Sequence, residues 1–195
     1  MKYLSKSLLY LTCFSIGALF FLPTYAQTEQ GASPVNASTI DLDDKLNQHY
    51  QILTQAFERL DSKAVATMYT QDAVFIPENS STSIMIGQQA ISAHYQDFFN
   101  KVTQKNAKVE IDFRVLMRQY QTGSITDNGY YLVSYIPAPE TGDAPTHFAG
   151  KFVLQFILQQ QQWLIQTEAS LRADSSLYYQ TTQQQNWYHG RQFQP

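Results

Sequence analysis

Proton transfer near neutral pH needs a side chain that titrates there, and histidine is the natural candidate. The chain carries four, His49, His94, His147 and His189. They are scattered, with no His-x-x-x-His or comparable spacing, so no metal site is expected. No Gly-rich phosphate loop or Gly-x-Ser-x-Gly turn occurs either, so no cofactor and no serine nucleophile are expected. His94 stands out because Ile91 and Phe98 lie one helical turn away on an aromatic stretch that also holds Tyr95. A histidine there can act as general acid or base, or it can pack at the helix surface with one hydrogen bond. Tyr69 and Asp72 are its candidate partners, so the catalytic candidates are His94, Asp72 and Tyr69. Asp72 also reads as a residue that fixes a turn. Arg114, Tyr135, Lys151, Gln155 and Glu168 fall on strands. Which face they occupy depends on register, because a slip of one residue turns every side chain over.

These residues need elements to hold them. Leu42, Leu46, His49, Tyr50, Leu53, Ala56, Phe57 and Leu60 recur at three- and four-residue spacing, which predicts a helix over about residues 42–60 with one buried stripe. Asp41, Asp43 and Asp44 sit at its start, where the helix dipole favours negative charge. A second short helix is expected over 63–69, and then a short strand, Val74, Phe75 and Ile76, stopped by Pro77. A polar turn over 78–83 leads to a second short strand at 84–86. From Gly87 a helix carries Ile91, His94, Tyr95, Phe98, Phe99 and Val102. The period then changes to two: Val109, Ile111, Phe113, Val115 and Met117 alternate with polar residues, which is strand spacing. Asp127-Asn128-Gly129 is a turn signal. Strands are expected at 130–136, 147–159 and 163–170, with Gln160, Gln161 and Gln162 as a turn. Helices followed by sequential long strands make an α+β pattern with an antiparallel sheet. Val153, Ile157 and Leu164 place apolar side chains on the second face of that sheet, which therefore needs a cover.

Composition narrows the function. Of 195 residues, 44% are hydrophobic and 14% aromatic, as in a globular protein, and the formal net charge is −3. An acidic chain without a basic run excludes nucleic acid as an expected partner and disfavours an anionic membrane surface. Lys2 and Lys6, the apolar run over 8–22, Pro23 and Ala26 read as an export signal over residues 1–26, which directs the chain through the Sec route to the periplasm or the exterior. No membrane attachment is expected after its removal. Cys13 lies inside the signal, so the mature chain has no thiol chemistry or disulfide. Residues 27–40 read as a flexible linker, 41–170 as the domain, and 171–195 as a glutamine-rich tail with Tyr178, Tyr179, Trp187, Tyr188 and Phe193. So many aromatics predict that part of the tail packs on the sheet or on a partner.

The run Met68-Tyr69-Thr70-Gln71-Asp72-Ala73-Val74-Phe75-Ile76-Pro77 resembles the NTF2-like superfamily, in its SnoaL-like and DUF4440-type branch. Gly87-Gln88-Gln89-Ala90-Ile91 with Tyr95, Phe98 and Phe99 follows, and then Gly150-Lys151-Phe152 and Gln162-Trp163-Leu164-Ile165. The resemblance spans residues 41–170. It implies a cone: three N-terminal helices packed on a strongly curved antiparallel sheet around a cavity, with dimers through the convex face. The superfamily includes ketosteroid isomerases, polyketide cyclases, epoxide hydrolases and members that only bind or assemble, so the fold does not choose the function. In the isomerases a carboxylate stands before the proline that ends the first strand. Here Ile76 holds that place, an aliphatic side chain that moves no proton, and the nearest carboxylate is Glu78.

The expected function is therefore binding of a small apolar or aromatic molecule, or of a protein partner, without catalysis. The expected ligand contacts are Tyr50, Phe57, Phe75, Tyr95, Phe98, Tyr135 and Trp163, and a homodimer through the sheet is expected. The alternative is an isomerase-, cyclase- or lyase-type enzyme using His94.

Overall fold

The computed structural model describes residues 37–191. The expected signal over 1–26 and all but the last residues of the expected linker lie outside them. Helix α1, Ala37–Glu58, starts about five residues earlier than its apolar stripe suggests and buries Leu46, Tyr50, Leu53, Ala56 and Phe57. Leu60 in the left-handed region breaks it, with φ of 54°. Asp61 then caps α2, Ser62–Ala66, accepting from the Lys63 and Ala64 amides at 3.1 and 3.0 Å. Strand β1, Tyr69–Ile76, begins earlier than expected because its first residues pair with the last strand. The two-residue β2, Met85–Ile86, precedes α3, Gln88–Gln104. Gly87 makes that junction. Its φ of 91° suits glycine, and its amide donates to the Ala73 carbonyl at 2.7 Å.

The remaining strands are β3, Lys108–Gln121; β4, Ser124–Ile136; β5, Thr146–Gln159; and β6, Gln162–Ala173. One six-stranded curved, unclosed sheet results, in the order β2-β1-β6-β5-β4-β3. It is antiparallel except between β1 and β6, which run parallel. Gln160 and Gln161, both at positive φ, close the β5–β6 hairpin in the primed-turn conformation that matches strand twist.

One expectation fails here. Asp127-Asn128-Gly129 is not a turn but lies in the middle of β4, and the β3–β4 hairpin closes at Thr122 and Gly123. Tertiary demands override the local signal. Asp127 is fully buried against Arg118, and a side chain on Gly129 would meet the Arg114 carbonyl and the Phe152 ring. The bulge between Val115 and Met117 sits opposite this glycine.

The inner face of the sheet, with Ile111, Phe113, Tyr131, Phe152 and Leu154, packs towards α1 and α3 and forms the main core. Residues 171–191 form three pieces, and Phe193 of the expected tail lies outside the described residues. β6 continues to Ala173. Helix α4, Ser175–Gln180, capped by Asp174, then lays the fully buried Tyr178 against Leu132 and Ala149 on the outer face. Finally, residues 188–190 run along the free edge of β3. The Val115 amide donates to the Tyr188 carbonyl at 2.9 Å, and the Gly190 amide donates to the Phe113 carbonyl at 3.0 Å. Arg114 holds the junction. It is 1% exposed, donates to the carbonyls of Tyr178, Tyr179 and Thr181, and lies 4.1 Å from the Tyr178 ring centre.

Candidate functional site

Between α1, α3 and the inner face of the sheet lies an open cavity of about 420 Å³. Each element contributes by its period. α1 offers Leu53 and Phe57, one helical turn apart, and α3 offers His94, Tyr95 and Phe98. The strands contribute alternate residues: Tyr69 and Phe75 from β1, Ile111 and Phe113 from β3, Tyr131 and Val133 from β4, and Phe152 and Leu154 from β5. The rings brace one another. Phe75 and Tyr95 stack with centres 6.1 Å apart, and Phe57 meets Tyr95 edge-on at 5.7 Å.

Two polar poles interrupt this apolar wall. The first is on β6, where Glu168 and Ser170 share a face. The Tyr69 hydroxyl donates to Glu168, and the Ser170 hydroxyl donates to its other carboxylate oxygen at 3.2 Å. The Tyr95 hydroxyl joins the chain through Tyr69. Burial raises the Glu168 pKa, and the bonds from Tyr69 and Ser170 only partly oppose that. Burial and the neighbouring Glu168 charge also push Tyr69 and Tyr95 well above the usual phenol range, so both stay protonated donors. The second pole is at the rim. The Tyr131 hydroxyl donates to Glu78 at 2.6 Å, and the exposed Arg172 pairs with Glu78 at 3.1 Å. The Tyr131 ring lies where a side chain on residue 150 would stand, so Gly150 is what admits it.

His94 lines the cavity, half-buried, with its ring edge-on to Phe75 at 5.7 Å. Burial lowers its pKa against the pull of Asp97, so it is neutral at pH 7 and can accept a proton. Tyr69 also lines the cavity. Asp72 does not: it is exposed on β1 and points away from the cone. Among the expected ligand contacts, Phe57, Phe75, Tyr95 and Phe98 line the cavity, whereas Tyr50, Tyr135 and Trp163 do not. Tyr50 is fully buried, and its hydroxyl is taken by Asp127 at 2.7 Å. Trp163 packs at the edge of the core, and its carbonyl receives His49. Tyr135 sits at the end of β4 against the same core.

Glu168, Tyr131, Ser170 and Glu78 were not among the expected site residues. Glu168 was visible only as one polar strand residue among several. The strand period carries the signal for Glu168 and Ser170, two apart on β6, but the bulge between Gln155 and Phe156 shifts the register on which it depends.

A separate buried charge grouping lies beneath α1, outside this cavity. Arg118 donates to Asp43 at 2.7 Å and, through two nitrogens, to Asp127 at 2.7 Å. Tyr120 donates to Asp43 at 2.5 Å. Burial works against the Arg118 charge, but the two carboxylates outweigh it and raise its pKa. Among the described residues, no group of three or more His, Cys, Asp or Glu side chains is arranged to hold a metal ion, and no helix is long and apolar enough to cross a membrane.

An open curved sheet wrapped over helices around an aromatic cavity is the NTF2-like fold, and solved structures agree. The chain superposes on Aln2 from a Streptomyces species with a TM-score of 0.61 and 14% identity, covering 76% of this chain and 99% of that one. ActVI-ORFA from Streptomyces coelicolor gives a TM-score of 0.59 at 19% identity, over 68% of this chain and 97% of that one. An NTF-2 like protein of unknown function from Shewanella oneidensis gives 0.51 at 17%, over 66% and 97%. No family model and no curated protein matches the sequence. The likeness is therefore one of fold, and the chain has the NTF2-like fold expected from residues 68–77 and 87–99.

Proposed function

We propose that the protein binds a compact, ring-bearing, mostly apolar small molecule inside the cone. The cavity carries this reading: about 420 Å³ lies within the range of small-ligand sites (roughly 300–1,000 Å³), with aromatic walls and a few convergent polar groups to orient the guest. A neutral fluorescent probe such as N-phenylnaphthylamine tests it. Saturable single-site binding is expected, lost in Val133→Trp, which fills the cavity while circular dichroism shows the fold intact. Equal binding by that variant would place the probe elsewhere and sink the reading.

One observation favours catalysis as the second reading. Glu168 is a carboxyl with a raised pKa, hydrogen-bonded to Tyr69, in the same cavity as a neutral His94. Such a group can take a proton from a carbon acid held against the rings, with His94 or a tyrosine stabilising the oxygen. This enzyme reading rests on Glu168 and His94 rather than on Asp72. Turnover of a cavity-sized ketone by wild type, lost in both Glu168→Gln and His94→Ala, would select it over binding alone.

Residues 1–26 support export, with a mature chain beginning at Gln27; N-terminal sequencing of the exported protein checks this. The outer sheet face supports a homodimer. α4 covers one end of it, while Val153 and Leu171 stay 38% and 52% exposed. Light scattering at the monomer mass would remove the dimer.

A further inference from the structure

Aromatic walls by themselves suit neutral guests, yet this cavity is lined by three carboxylates, Glu78, Asp97 and Glu168, against one lysine, Lys101. The lysine is exposed at the rim, and the neutral His94 adds no charge. Glu78 has its own counterion in Arg172. Glu168 differs. Its partners among the described residues are two hydroxyls, Tyr69 and Ser170, and no cation pairs with it. It is surrounded by Tyr69, Tyr95 and Tyr131, and rings present a negative face to whatever enters.

We propose that the guest is an organic cation, a ring-bearing amine or quaternary ammonium, with its charged nitrogen against Glu168 and its apolar body among the rings. This rests on the reading of the cavity as a small-molecule site and specifies the charge of the ligand. Two effects favour it. A cation over aromatic faces is attracted by their quadrupoles, the more strongly when water is excluded. A carboxylate that burial penalises gains most from an opposite charge delivered to it. An anionic guest meets the reverse on both counts, with Glu78 and Glu168 facing it. Binding also carries a proton signature. An arriving cation favours the ionised carboxylate and so draws the raised Glu168 pKa back down.

A matched series tests the charge alone: naphthylmethylamine, naphthylmethanol and naphthoate, measured on the mature chain by titration calorimetry at neutral pH. The amine is expected to bind about tenfold or more tightly than the alcohol, and naphthoate more weakly than either. In Glu168→Gln the amine-to-alcohol ratio should fall towards one. If that variant does not fold, wild type gives the same answer. The amine's advantage should grow as pH rises from acidic to neutral, with buffer-dependent heats reporting proton release. An alcohol that equals the amine, or a ratio unmoved by both Glu168→Gln and pH, overturns the cation and leaves the small-molecule reading standing. Failure of all three probes to bind overturns both.

Discussion

Two buried polar groupings in this fold are built on opposite plans. Beneath α1, Arg118 is clamped between Asp43 and Asp127 at 2.7 Å, and the hydroxyls of Tyr50 and Tyr120 take up remaining carboxylate lone pairs. All of Arg118, Asp43 and Asp127 are at most 4% exposed. In the cone, Glu168 has hydroxyl donors but no counterion, and it faces open space. In the first grouping the charges meet one another directly and face no cavity, with Tyr120 alone leading out to Trp187 at the surface. The second has capacity left for a partner. A charge that is paired and sealed is architecture, whereas a buried carboxyl left to face a cavity is where ligand chemistry is to be sought.

Arg118→Ala probes the closed plan and should give the largest effect. Removing the guanidinium leaves two carboxylates buried together without compensation, a loss of about 3–5 kcal/mol by the usual cost of breaking a buried pair. Urea unfolding measures it. A loss below about 1 kcal/mol would mean that water reaches the grouping and that the contrast with the cone is false.

This contrast also marks how far the sequence alone reaches. The segment from β1 to α3 is legible because its signals are local: apolar spacing, Pro77 and Gly87 all act within a few residues. Phe57, Phe75, Tyr95 and Phe98 reach the cavity wall on those same local periods. Tyr50 lies on the same buried stripe, but its hydroxyl partner Asp127 is 77 residues away, and no helical period reports that. Asp127-Asn128-Gly129 misleads because local turn chemistry loses to a long-range ion pair and a close backbone approach. The face of Glu168 cannot be read from its strand because the β5–β6 bulge resets the alternation. The order of the tail was foreshadowed by its aromatics, though not the role of Arg114, whose partners are backbone carbonyls that any residue supplies.

Gly150→Ala comes next and acts on the open plan. The new methyl group must displace the Tyr131 ring, and with it the hydroxyl that holds Glu78 at the rim. Overpacking of this kind costs about 1–3 kcal/mol. Affinity for the neutral probe should change along with stability, because the ring forms part of the cavity wall. A stability loss with an unchanged probe affinity would detach Tyr131 from the site. Thermal melts with and without probe separate the two outcomes.

Glu168→Gln should give the smallest change in stability, and its sign depends on pH. Burial raises the Glu168 pKa in the folded chain above that of the unfolded one. At pH below the ordinary carboxyl range both states are protonated, and the group contributes no difference. As pH rises through that range the unfolded chain ionises first, so the folded wild type loses stability until the pH passes the raised value; beyond it the loss is constant. Glutamine cannot ionise, yet it still offers Tyr69 a carbonyl and Ser170 an amide. The variant should therefore match wild type in acid and exceed it at neutral pH, by less than the Gly150→Ala effect. Chemical denaturation of both proteins across that range reads the difference directly. A variant that is destabilised at neutral pH, as Arg118→Ala is expected to be, would show that Glu168 belongs with the sealed grouping. The contrast between the two plans would then fail at the residue that best defines it.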